Sequence, residues 1–173
     1  MVKGMRRRIV IVDGYNIIHG VPALAAFLSK GLEQARQALV RRCAGLMSRR
    51  HDVWRYCLVF DGDSTVRGMD HMAAAGVEMI FTRSGETADD RILAILDQRI
   101  ADCDCTVVSN DVFVKSQSRL RKATIVSAAA FAGMSTAGGR ETSLSPDSDP
   151  KNRLSAAARH AIDEELRREW GVK

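Results

Sequence analysis

The chain has 173 residues, 46% of them hydrophobic, which is enough for one domain with its own core. Its formal charge is +5 and its pI about 9.3, which favours a polyanionic partner over an acidic, disordered chain. No apolar run reaches membrane-span length, and four cysteines without framework spacing argue against a disulfide scaffold.

The opening MVKGMRRRIVIVDGYN is basic and then apolar. The apolar stretch is too short for a signal peptide and meets Asp13 with no small-residue cleavage site, so the expectation is a buried first strand over 8–13 in a cytoplasmic protein. Gly14 opens a turn. Residues 31–50 repeat apolar side chains at helical spacing, through Leu32, Ala35, Leu39, Cys43 and Leu46. A second apolar strand over 54–60 ends at Asp61, and a loop or short helix is expected through 72–75. Gly76 breaks that segment, and 77–81 forms a third strand. Thr87 then reads as a helix N-cap with Asp90 in the first turn, and Ile92, Ile95, Leu96 and Ile100 mark the buried face. A fourth strand over 105–108 runs into Ser109-Asn110-Asp111. A basic helix or irregular segment extends to Lys122, followed by a short strand over 124–126 and an Ala-rich helical turn ending near Gly133.

Strands alternating with helices predict an α/β domain with a parallel sheet and right-handed crossovers, spanning 1–134. Residues 135–150, STAGGRETSLSPDSDP, read as a flexible linker. Residues 151–173 read as an amphipathic C-terminal helix with Leu154, Ala158, Ala161, Ile162, Leu166 and Trp170 on one face. That face packs on the main domain or docks on a partner.

The chemistry-bearing residues are acidic. Asp13, Asp61 and Asp111 each end an apolar strand, while Glu86, Asp89 and Asp90 surround a helix start. An open parallel sheet gathers its strand ends along one edge, where ligands bind. Carboxylates gathered without bases there suit a hard divalent cation, Mg²⁺ or Mn²⁺. Asp13, Asp89 and Asp111 are the expected catalytic set, and Asp61 and Asp90 complete the metal candidates. Asn16, Glu86, Ser109 and Asn110 are expected in support. Taken one at a time, each Asp also has a plain structural explanation as a turn or helix-cap residue. His19, His51, His71 and His160 show no metal spacing, and Cys103-x-Cys105 has no partner pair at zinc spacing. No serine with a paired base and no glycine-rich phosphate loop is present.

Positive residues cluster at Lys3, Arg6, Arg7 and Arg8, again from Arg36 to Arg50, and again at Lys115, Arg119, Arg121 and Lys122. Arg41, Arg42, Lys115, Arg119, Arg121 and Lys122 are the candidates for holding an RNA backbone. Aromatics make up only 5% of the chain, so extensive base stacking is not expected; Tyr15 could stack on a base but reads more simply as a loop or core residue.

VDGYNII, VFD, FTRSGETADDRI and SND, in this order, resemble the YacP-like branch of the NYN-domain proteins, within the PIN-like nucleases. The resemblance covers about residues 8–131. It implies a three-layer α/β/α sandwich with a central parallel sheet. It also implies a metal-dependent endoribonuclease acting through Asp13, Asp89 and Asp111, with Asp61 at the VFD position, and a link to RNA turnover that in some relatives involves the ribosome. Two alternatives stand beside it. LVFDGDSTV matches the haloacid-dehalogenase phosphatase pattern, with Asp61 as nucleophile, Asp63 as acid/base and Thr65 in support. The other is a non-catalytic RNA-binding module with structural acids. Oligomeric state has no signature in the sequence.

Overall fold

The apolar runs of this chain become strands buried on both faces. The computed structural model describes residues 6–62, 71–74 and 76–134, with backbone alone for 71–74. The expected linker (135–150), the expected terminal helix (151–173) and Asp63 and Thr65 lie outside the described residues.

Six strands, β1 (Arg7–Asp13), β2 (Val53–Phe60), β3 (His71–Ala74), β4 (Val77–Phe81), β5 (Cys103–Val108) and β6 (Thr124–Val126), form one sheet in the order β3-β4-β2-β1-β5-β6. β1 lies between β2 and β5, pairing Asp13 with Val59 and Val12 with Val108. Five strands are parallel; β3 runs antiparallel to β4, with His71 opposite Ile80. The loop or short helix expected through 72–75 is therefore replaced by an edge strand over residues 71–74. Its HMAA sequence shows no alternation, so pairing with β4 rather than local pattern decides its conformation.

Side-chain alternation sorts the core into two layers. Val10, Val12, Tyr56, Leu58 and Phe60 meet residues of helices α1 (Gly14–Gly20), α2 (Pro22–Ala25), α3 (Leu32–Met47) and α6 (Ala128–Gly133). Ile9, Ile11, Cys57, Val59 and Val107 meet α4 (Ala88–Arg99) and α5 (Val112–Leu120) on the opposite face. The result is the expected three-layer α/β/α sandwich. All four cysteines are buried free thiols. No helix among the described residues is long and apolar enough to cross a membrane.

The strand order locates the crevice. From β1 the chain moves outward through β2 to β4, then crosses back to β5 and continues outward to β6. Connections leave the neighbours β1 and β5 in opposite directions, which opens a gap above their carboxyl ends.

Candidate active site

Asp13 is the last residue of β1 and is buried, on the strand face shared by Ile9 and Ile11. Gly14 follows because α1 begins tight against β2: a Cβ there would stand 2.3 Å from the Phe60 ring and 2.8 Å from the Val59 carbonyl. The Ser109 hydroxyl, just beyond β5, donates to Asp13 Oδ2 at 2.8 Å, and the Asn16 backbone N–H also donates to this carboxylate. Ser109 Oγ in turn accepts the Asp111 N–H at 3.0 Å. The ends of β1 and β5 are thus tied across the switch point.

The other acids arrive from both sides. Asp111 is the N-cap of α5, with Oδ1 accepting the Val114 N–H at 2.9 Å. Asp61, exposed beyond β2, accepts the Ala88 N–H with Oδ1 at 2.7 Å and so joins that strand end to the start of α4. Asp89 sits in the first turn of α4. Asp61 and Asp111 each commit one oxygen to a helix start, leaving the second for another partner. Among the described residues none of Asp13, Asp61, Asp89 and Asp111 forms an ion pair.

The electrostatics follow from this crowding. The Asp13 carboxyl is pushed up to about 6, by burial first and by the charges of Asp89 and Asp111 against the pull of its two donors. Burial and then Asp111, Asp61 and Asp90 also raise the Asp89 carboxyl. Asp13 and Asp89 thus feel carboxylates brought in by other segments, with no base among the charges that shift them.

The remaining predicted residues make hydrogen bonds within the fold. Asp90 closes a capping box, accepting the Thr87 hydroxyl at 2.8 Å while Thr87 Oγ1 accepts the Asp90 N–H. Glu86 accepts the Arg83 N–H and pairs with Arg91. Asn16 Oδ1 accepts the Asn110 N–H at 2.8 Å, and Asn110 Oδ1 accepts the Ala128 N–H at 2.9 Å, lacing three edge loops together. Tyr15 takes the simpler of its two expected places: it packs on the core, stacks edge-on against Phe60 and accepts from buried Arg36 at 2.8 Å, so it is no open platform.

The donor set fits a hard cation, being carboxylate oxygen throughout without histidine or cysteine. Among the described residues, no group of three or more such side chains is arranged as it stands to hold a metal ion.

The basic candidates divide. Arg42 spends Nη2 on the carbonyls of Phe131, Ala132 and Met134 and covers the Phe131 ring, so it caps α6 instead of facing solvent. Arg121 is bound to Asp97 at 2.7 Å. Arg41, Arg119 and Lys122 are exposed and Lys115 half-buried. α3, which carries Arg41, and α5, which carries Lys115 and Arg119, lie on opposite faces of the sheet and cannot form one footprint.

A five-stranded parallel sheet flanked by helices, with acids gathered at its switch point, defines a PIN-like α/β domain of the nuclease class. The chain belongs to the YacP-like NYN domain family, which it matches over residues 10–171. It is similar to an uncharacterized protein YacP of Bacillus subtilis (strain 168), 38% identical over 85 residues, 49% of this chain and 48% of the relative. That alignment spans about half the length of the curated relative. The crystal structure of Rae1 (YacP) from Bacillus subtilis is similar with a TM-score of 0.58 at 26% identity, covering 92% of this chain and 80% of that one. A crystal structure of a mutant form of Rae1 gives 0.57 at 29% identity over 72% of each chain.

Proposed function

We propose that this protein is a metal-dependent endoribonuclease that hydrolyses RNA phosphodiester bonds in RNA turnover. The observation that carries the reading is the convergence of Asp13, Asp61, Asp89 and Asp111 at the switch point with no base among them. Family membership supports the nuclease class over the phosphatase alternative.

Asp13, Asp89 and Asp111 would hold one or two Mg²⁺ or Mn²⁺ ions, with Asp61 assisting directly or through water. Asp90 is the weaker assistant because its carboxylate serves the cap. The bound cation supplies positive charge for the attacking and departing oxygens and makes hydroxide available near neutral pH. Ser109 and the Asn16 N–H hold the Asp13 carboxylate in one orientation, as partners behind a metal ligand do. Asp61 keeps the start of α4, and with it Asp89, against the end of β2. Water adds to phosphorus in line with the leaving 3′ oxygen, the P–O3′ bond breaks and that oxygen takes a proton. The products carry 5′-phosphate and 3′-hydroxyl ends.

The test is RNA cleavage with Mg²⁺ or Mn²⁺ by wild type and Asp89→Asn, on free RNA and on translating ribosomes in parallel. Metal-dependent cutting lost in the variant supports the reading. Cutting with ribosomes alone adds the ribosome as partner. RNA bound in both formats without cutting overturns the enzyme and leaves a binding module.

A further inference from the structure

The α4/α5 seam carries an aromatic residue that the core does not use. Phe113 is 55% exposed, two residues past Asp111, on a helix whose Val114 is fully buried. Exposed large aromatics are uncommon in a chain with so few, and this one stands at the rim of the acidic edge.

Helix geometry gives its position relative to the acids. α4 enters β5 and α5 leaves it, while β4, β5 and β6 run parallel, so the two helices point the same way. They pack side by side, pinned where Arg121 Nε meets Asp97 Oδ1 at 2.7 Å and Arg121 Nη2 meets Asp97 Oδ2 at 3.3 Å. Asp89 stands in the first turn of α4, and Phe113 in the first turn of α5 just past its cap Asp111, so the parallel helices bring Phe113 to the same end of the pair as both acids.

We infer that Phe113 is a stacking platform for a nucleobase next to the cleaved phosphate, so that the substrate is single-stranded RNA with that base unstacked. The inference rests on the ribonuclease reading and deepens it. A single aromatic face beside the acids suits one base, since every base offers a π-face. A protein partner would need a broader apolar patch than Val112 and Phe113 provide at this end.

The test is binding of labelled single-stranded RNA by the full chain in EDTA, where nothing is cut, with wild type, Phe113→Ala and Phe113→Tyr. The same proteins are titrated with an abasic oligonucleotide of equal length. The expectation is about ten-fold weaker binding by Phe113→Ala on base-bearing RNA, the loss of one stack. Phe113→Tyr should bind like wild type, and the two should match Phe113→Ala on abasic RNA. Equal binding of Phe113→Ala and wild type to base-bearing RNA overturns the platform, as does an equal loss on abasic RNA. Phe113→Ala is exposed and leaves the core intact, so circular dichroism should superpose. RNA binding that depends on Phe113 without metal-dependent cutting keeps the platform and overturns the nuclease. No binding of free RNA by wild type overturns the platform and leaves the nuclease reading to the cleavage assay on free RNA and ribosomes.

Discussion

The two ends of the sheet treat charge in opposite ways. At the amino end of β1, Arg6 donates to the carbonyls of Ile100, Ala101 and Cys103, Arg7 lies over Trp54, and Arg8 joins Arg50 on Asp52. Nearby, Arg55 pairs with Glu78 at 2.8 Å. At the carboxyl end Asp13, Asp61 and Asp111 receive neutral donors, a hydroxyl and backbone N–H groups, and among the described residues no cation pairs with them. The first arrangement balances its charges within the fold. The second leaves like charges facing one another, which costs stability unless something outside the chain neutralises them. The same seven-residue strand carries both, roughly 20 Å apart.

Breaking the uncompensated end should have the largest effect. Asp89→Asn, or Asp13→Asn, is expected to lower kcat on RNA by at least about 100-fold, measured at saturating Mn²⁺. Ser109→Ala should cost about 10–100-fold in metal affinity or activity, because Asp13 and the Asp111 N–H both lose their shared hydroxyl. Far-ultraviolet circular dichroism should stay unchanged in that variant.

A stability measurement sharpens the comparison. Asp13 has a folded pKa of about 6 against an ordinary 3.8, so its contribution is fully present below about pH 4 and is lost as pH rises through about 6. In EDTA at pH 7.5, Asp13→Asn should therefore be more stable than wild type by about 1–3 kcal/mol, an order-of-magnitude figure. The gain should vanish near pH 4, and Mg²⁺ should raise the Tm of wild type more than that of the variant. A variant less stable at pH 7.5 would count against uncompensated charge.

Two basic residues should separate cleanly. Arg42→Ala should destabilise the fold by about 1–2 kcal/mol through the uncapped α6 carbonyls, with little change in RNA affinity. Arg119→Ala should leave stability alone and reduce the salt dependence of RNA binding by about one ion. The smallest effect belongs to the balanced end: Asp52→Asn should change stability by about 1 kcal/mol or less and leave cleavage intact.

Much of this was legible in local pattern. IVIV, LVF and the Val107-Val108 pair are buried on both faces, so their apolar runs declared strands, and an Asp closes or closely follows each of them. Thr87 and Asp90 declared a helix start because a capping box is a contact within four residues. Such features depend on neighbours in sequence. Other features depend on neighbours in space. β3 became a strand because β4 offered an edge. Arg42 turned onto the end of α6 because those carbonyls lay beside it, and Asp61 gained a role in holding α4 through a bond between residues 27 apart. Residue type and spacing by themselves determined the five parallel strands, the class of fold and the acidic inventory. Only the tertiary structure decided which strand ends adjoin, and thus which charges meet, because strand order is a long-range choice that no local pattern encodes.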